Sequence, residues 1–288
     1  MGSASSARDN RALKDVQRYG EHLYHYTSMQ SFFGIIKNKE LWLGNAATMN
    51  DKTELLYFTQ GLKNALLEDY PEKQHEINRL WSKIDAAVQK GYPFAMCLST
   101  LSDDAAQWER YASGGTGVCI DVNIKALAQL FHNHSGFLNS VFYGSDIRQH
   151  DHLKIVSEYL SNGKWYDFEN EDRWISNLIA TACCHKHKSF SPENETRMIV
   201  LSELVDLHSA DGVFHVEYEC LNNQIKKVLK VDIKTLCRLE HISLDSIFDG
   251  VLIGPKSLQH IGTIKEFLCA NDFYHLADNV HLSDCPLR

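Results

Sequence analysis

Two glutamates in the second half of the chain have the residue types and spacing that acid–base or cation-stabilising chemistry needs. Glu193 and Glu195 stand at the mouth of a strand predicted from Arg197 to Leu201. Side chains at positions i and i+2 of a strand point the same way, so two carboxylates there repel each other unless a cation shares the site. Arg197 continues that face. The pattern fits either a solvated strand end paired with Arg197 or carboxylates beside a ligand that develops positive charge.

Two more polar residues occupy strand positions that usually carry apolar side chains. His25 lies in the predicted strand 23–26, and Ser99 follows the predicted strand 92–98. A histidine in this position either bonds to a neighbouring strand or contacts a ligand. The serine either caps a turn or presents its hydroxyl at the sheet edge.

Three aromatic residues belong to the same candidate region. Tyr26 and Tyr111 could each stack on a planar ligand, or each could pack as a buried tyrosine. Trp108 lies three residues before Tyr111, so the two share one face of a predicted helix, which favours a core position for them.

The cysteines and histidines give little indication of a metal site. Only the run from Cys183 to His187 places soft ligands close together, and it lacks the second pair that a tetrahedral zinc site needs. We expect instead a helix end with a buried cysteine and solvated histidine and lysine side chains. The chain has no secretory signal, so we predict a cytoplasmic location and free thiols. We also predict that no metal is bound. The eight cysteines are residues 97, 119, 183, 184, 220, 237, 269 and 285.

Composition excludes several classes of protein. Hydrophobic residues make up 44% of the 288 residues and charged residues 23%, which are globular values. No apolar run approaches the roughly 20 residues that cross a bilayer, so no membrane partner is expected. A formal charge of −8 disfavours a broad phosphate-binding face and leaves room only for a local one.

Short apolar segments alternate with amphipathic ones along the chain, without internal repeats or a linker. This pattern predicts an α+β fold with a mixed or antiparallel sheet. We expect residues 1–20 to be a tag remnant and N-terminal segment, and residues 21–288 to form a single domain. The predicted helices include one capped by Thr27 or Ser28, one that begins at a capping box of Asp51 and Glu54, and segments 103–111, 151–165, 171–188 and 257–269.

Over roughly residues 21–270, an ordered set of motifs resembles one bacterial family, domain-of-unknown-function family 2971. The family label names no activity. The motifs are Leu23 to Ser28, Met49-Asn50-Asp51 with Glu54, Cys97 to Ser99 with Trp108 and Tyr111, Gly115 to Val118, the set Lys186, Phe190, Glu193, Glu195 and Arg197, and Gly250 to Pro255.

A more distant resemblance is to the ADP-ribosyltransferases, which carry a histidine on an early strand, a serine on a middle strand and Glu-x-Glu on a later strand. The resemblance implies a sheet split by a cleft, with helical insertions, and NAD as the substrate. It casts His25 as a ribose-binding residue, Ser99 as a brace and Glu195 as the glutamate that holds the nicotinamide ribose. Glu193 would then position the acceptor.

On this basis the expected activity is transfer of ADP-ribose from NAD to a macromolecular acceptor. Glu195 and Glu193 are the candidate catalytic residues. The candidate NAD-binding residues are His25, Tyr26, Ser99, Tyr111 and Arg197.

Two alternatives stay open: an NAD glycohydrolase, and a non-catalytic nucleotide-sensing or partner-binding module. The resemblance also implies a role as a bacterial toxin or phage-defence effector with a possible antitoxin. It leaves the acceptor open among RNA, DNA and protein.

Overall fold

The structure is a computed structural model with an α+β fold, as the sequence predicts. It describes residues 14, 16–46, 54–90, 93–131, 133–134, 136–144, 146–165, 169–201, 212–221 and 224–287. The predicted capping residue Asp51 lies outside these ranges. The helices are α1 (Met29–Asn38), α2 (Glu54–Asp69), α3 (Gln74–Lys90), α4 (Ala105–Tyr111), α5 (Ile124–Leu130), α6 (Asp151–Asn162), α7 (Glu171–Ala182), α8 (Ile233–Glu240), α9 (Ile261–Cys269) and α10 (Tyr274–Asp278).

The strands predicted at 23–26, 92–98 and 197–201 each have a counterpart in the structure, and the strands at 136–140, 142–143, 185–186 and 280–282 were not predicted. The strands are β1 (His22–Thr27), β2 (Glu40–Asn45), β3 (Pro93–Ser99), β4 (Val118–Asn123), β5 (Gly136–Ser140), β6 (Phe142–Tyr143), β7 (His185–Lys186), β8 (Glu195–Leu201), β9 (Phe214–Leu221), β10 (Gln224–Asp232), β11 (Phe248–Ile253) and β12 (Val280–Leu282). Parallel pairing of β11 with β12 in an otherwise antiparallel sheet makes it a mixed sheet.

Helix α7 ends six residues before the predicted boundary at 188. Its C-cap is Cys183, and the chain then turns into β7, which pairs with β6. The carbonyls of Cys184 and Lys186 accept from the backbone N–H groups of Phe142 and Gly144 at 2.7 and 3.0 Å. Strand pairing thus replaces the helical bonds that the apolar periodicity predicted. It also buries His185 and Lys186, which the sequence analysis expected in solvent.

Strand β3 is the branch point of the large sheet. One edge of β3 pairs along its whole length with β8. On the other edge, β1 pairs with β3 at Ser99, and β2 pairs with β3 at Phe94 and Ala95. The sheet continues through β4, β11 and β12 beyond β1, and through β10 and β9 beyond β2. The two wings therefore separate at the middle of β3, around Cys97.

Strands β3 and β8 are buried on both faces, which explains the unbroken apolar run Met198–Leu201. Met96 and Met198 point into a core formed with α1, α5 and α8. Ala95 and Ile199 point into a second core formed with α2, α3, α6 and α7. Side chains alternate along a strand, so Cys97, Ser99, Glu195 and Arg197 lie on the face of this second core.

All eight cysteines are free thiols in the structure, and their burial predicts how fast they react. Cys220 and Cys269 are exposed, whereas burial raises the pKa of both Cys184 and Cys237 to about 12. Because the thiolate is the reactive form, we expect iodoacetamide to modify the first two in the native protein and to leave the latter two intact. Peptide mass spectrometry after a short pulse measures this, with urea-unfolded protein as the control. Modification of Cys184 as fast as Cys220 would contradict it.

Candidate functional site

A cleft of about 240 Å³ opens where the two wings of the sheet part. Continued antiparallel pairing would set Tyr26 and Trp42 opposite Cys97, but both strands turn away from β3 before that point. The residues that line the cleft are Tyr24, His25, Tyr26, Trp42, Ala95, Met96, Cys97, Leu98, Ser99, Gln107, Tyr111, Lys186, Glu193, Glu195 and Arg197. The cleft is thus a product of the split sheet.

His25 bridges the split with its side chain. Its Nδ1 lies 3.0 Å from the carbonyl oxygen of Cys97. A carbonyl oxygen only accepts, so Nδ1 carries the proton, and burial lowers the pKa of His25, which keeps the ring neutral. Nε2 of His25 is then an acceptor. The histidine bonds to a neighbouring strand, which is one of the two sequence interpretations, and its ring lines the cleft.

Ser99 braces the turn that carries Glu193. Its hydroxyl donates to the carbonyl of Glu193 at 3.1 Å and accepts from the backbone N–H of Leu101 at 3.1 Å. Gln107 on α4 donates to the same carbonyl at 2.8 Å. Gln107 was not a sequence candidate, because its burial becomes visible only in the structure. Ser99 therefore acts both as a turn residue and as a support of the site.

Glu195 is buried and ionised. Nε of Arg197 donates to its Oε1 at 2.7 Å, and Nζ of Lys186 lies 2.6 Å from its Oε2. These cations outweigh the effect of burial and hold the pKa of Glu195 at about 2. The backbone N–H of Glu195 donates to the hydroxyl of Tyr143 at 2.9 Å. A second guanidinium nitrogen of Arg197 donates to the carbonyl of Cys183. Arg197 thus pairs with Glu195, but in a buried site rather than in solvent.

The carboxylate of Glu193 lies beside that of Glu195, but the backbone of Glu193 is not part of a strand. It ends a 3₁₀ turn (Lys188–Glu193), and Asn194 then takes a left-handed conformation with φ of 45°. The i, i+2 strand argument was wrong for Glu193, because the residue precedes β8. Its carboxylate accepts from Tyr111 at 2.6 Å, Lys186 at 2.8 Å and Arg110 at 3.3 Å.

Tyr26 lies at the border of the cleft and the core. Its ring packs edge-on against Trp108 with centroids 5.0 Å apart. Its hydroxyl donates to the carbonyls of Leu101 and Ser102 at 3.0 and 2.7 Å, and it accepts from the N–H of Asp104. These contacts are those of a buried packing tyrosine, and the same residue holds the turn after Ser99.

The structure brings His25, Ser99 and Glu195 together. Their strands β1, β3 and β8 are neighbours, and a spacing of about 4.8 Å per strand puts the outer two roughly 10 Å apart. Ser99 and Glu195 are directly paired. Tyr111 and Arg197 lie in the same cleft. Lys186, which was expected at a solvated helix end and as part of a family motif, also lines this cleft.

A second cavity of about 300 Å³ lies between β1, β4 and β11, and Tyr24 lines both cavities. At its edge, Nδ1 of His22 lies 2.9 Å from a carboxylate oxygen of Asp121 and 3.4 Å from one of Asp249. Within the described residues this trio is the group with ligand atoms close enough to share a metal ion. Burial raises the pKa of Asp121, and His22 opposes that effect.

The fold and the cleft together define the class of this protein. It is an α+β protein with a split sheet and a buried cluster of carboxylates and cations. Residues 107–198 match the model of DUF2971, a family of proteins of unknown function. This stretch is similar to that family and contains Gln107, Tyr111, Lys186 and both glutamates. No match was found among curated proteins or among solved structures. In the described part of the chain, no helix is long and apolar enough to span a membrane.

Proposed function

We propose that the protein is a cytoplasmic NAD-dependent ADP-ribosyltransferase whose active site is the cleft between β1, β3 and β8. One observation carries the proposal: His25, Ser99 and Glu195 lie on three neighbouring strands in one cleft, beside Glu193. The order of these residue types along the chain resembles the ADP-ribosyltransferases. No metal takes part in the proposed reaction.

Each side chain has a defined task in the reaction. The neutral His25 offers Nε2 as an acceptor to a ribose hydroxyl. The bond between ribose C1′ and nicotinamide breaks, and its electron pair leaves with nicotinamide, so the ribose becomes electron-poor. The ionised Glu195 stabilises that positive charge in the transition state. The nucleophile then bonds to C1′, and its proton passes to Glu193.

Two features of the cleft, its aromatic rings and its charge, support a nucleotide as the ligand. Trp42 and Tyr111 supply aromatic rings that can contact a base or nicotinamide. Three cations, Lys186, Arg197 and Arg110, contact two carboxylates, so the site has a formal excess of one positive charge. A diphosphate is compatible with that balance.

An NAD glycohydrolase is the second candidate, and one observation favours it. Tyr111, Lys186 and Arg110 already donate to Glu193, which reduces its capacity as a base for a macromolecular nucleophile. Water could still trap the ribosyl cation. A biological role as a toxin or phage-defence effector, with an antitoxin partner, follows from the resemblance and is part of the proposal.

The test is incubation of the purified protein with NAD labelled in its adenylate half and with separate fractions of cellular RNA, DNA and protein. We expect the label to enter one fraction while nicotinamide is released. Free ADP-ribose without macromolecular label would replace the transferase by a glycohydrolase. Intact NAD in every reaction would contradict both and leave the non-catalytic binding module.

A further inference from the structure

One ammonium group contacts both glutamates of the cleft. Nζ of Lys186 lies 2.8 Å from Oε2 of Glu193 and 2.6 Å from Oε2 of Glu195. All three side chains are buried, with 5%, 5% and 7% of their residue surfaces exposed. The cluster is therefore shielded from solvent, and the charges of its members interact strongly with one another.

The position of Lys186 is fixed from outside the strand that carries Glu195. Its backbone belongs to β7, which pairs with β6 and receives a 3.0 Å bond from the N–H of Gly144. The ammonium also lies 5.6 Å from the centroid of the Phe190 ring. Tyr143 of β6 accepts from the backbone N–H of Glu195. The β6–β7 ribbon thus holds the lysine and contacts the glutamate strand at the same time.

The proposed reaction needs two charged carboxylates at once. Glu195 must be negative to stabilise the ribosyl cation, and Glu193 must be negative to take the proton of the nucleophile. Two buried carboxylates that contact the same group repel each other and tend to share one proton, unless a cation neutralises their negative charge. Arg197 approaches from the Glu195 side and Arg110 from the Glu193 side, whereas Lys186 lies between them.

We infer that Lys186 is a positioning residue that holds the carboxylates of Glu193 and Glu195 at a fixed separation and offsets the repulsion between them. Its catalytic part rests on the proposed function. Its electrostatic part concerns the folded chain alone and can be tested without turnover.

A double-mutant cycle tests the electrostatic part. Lys186→Met leaves one arginine on each buried carboxylate but removes the cation between them, so the two negative charges repel each other more strongly. We expect the melting temperature to fall by roughly 10 °C. Lys186→Met combined with Glu193→Gln removes one positive and one negative charge and leaves Glu195 with Arg197. We expect the double variant to lose clearly less than the sum of the two single losses. Additive losses would overturn the inference. If Lys186→Met fails to fold and the double variant folds, the two residues are coupled even more strongly, which also supports the inference.

The pH profile of nicotinamide release between pH 3 and 9, measured well below the melting temperature, tests the catalytic part. Lys186→Met should move the acid limb to higher pH by about one unit or more, because Glu195 without this cation keeps its proton up to a higher pH. Lys186→Arg should restore the wild-type limb. Lys39→Met is the matched control, since Nζ of Lys39 lies 2.9 Å from a carboxylate oxygen of Asp272 and neither residue lines the cleft. It should keep the wild-type limb.

An unshifted limb in Lys186→Met would overturn the positioning role. No nicotinamide release by the wild type would overturn the proposed function, and with it the catalytic part. The cycle would still decide the electrostatic part, so the two failures are distinguishable.

Discussion

Glu195→Gln is expected to reduce nicotinamide release about 10³-fold, because it removes the charge that stabilises the ribosyl cation and keeps the shape of the side chain. The variant also leaves Arg197 and Lys186 with a weaker partner in a buried site, so its melting temperature should fall by several degrees. The assay is nicotinamide release by liquid chromatography at saturating NAD, with melting measured on the same preparations.

Glu171→Gln is the matched control for Glu195→Gln. Glu171 on α7 also bonds to one arginine and one lysine, at 2.8 Å to Arg79 and 2.5 Å to Lys83, but it lies outside the cleft. We expect wild-type release from this variant. Full release by Glu195→Gln would end the mechanism, and equal losses in both variants would attribute the effect to stability.

A steep loss of stability in mild acid is expected from two buried histidines. His185 stacks on Phe58 with centroids 4.0 Å apart, and its Nδ1 lies 2.8 Å from the carbonyl of Thr181. Nε2 of His152 lies 3.1 Å from the hydroxyl of Thr181. Burial lowers the pKa of both rings to about 4.

The unfolded chain binds these protons near pH 6.5, whereas the folded chain binds them only near pH 4. In that window the unfolded state holds more protons, so stability is full above pH 6.5 and decreases as the pH falls towards 4. Each ring contributes about 3 kcal/mol across the window. Together they should lower the melting temperature by roughly 15 °C.

His185→Phe keeps the stacking on Phe58 and removes one titrating ring, so it should reduce the acid-induced drop by about half. His75→Gln, at an exposed position of α3, should reproduce the wild-type drop. Melting curves from pH 7.5 to 4 measure both. An unchanged drop in His185→Phe would contradict the assignment. Glu195 acts in a lower window, since its contribution is present above about pH 4.5 and is lost as the pH falls towards 2.

Local patterns were sufficient for most of the fold. The apolar run in β8 and the break between α4 and β4 follow from periodicity and turn residues, and both are present as predicted. The helix over 171–188 was wrong beyond Ala182, because the pairing of β7 with β6 is a contact across about 40 residues that periodicity does not report.

The polar strand residues of the site could be predicted from the sequence. The buried lysine that pairs with the glutamates could not. His25 stands out within a predicted strand, and Ser99 and Glu195 stand out at the ends of predicted apolar strands. Lys186 has no such signal, since a lysine beside histidines resembles a solvated helix end. From the sequence alone, Glu195→Gln would be expected to leave stability almost unchanged. The buried contacts of Glu195 with Lys186 and Arg197 predict a measurable loss.

Calorimetric titration of Glu195→Gln with NAD tests most directly whether the cleft is an NAD site, because it separates binding from turnover. The account predicts one NAD per chain, and a loss of at least tenfold in affinity when His25→Ala is added, since Nε2 of that ring is the proposed partner of a ribose hydroxyl. Absence of binding, or binding that His25→Ala leaves unchanged, would contradict it.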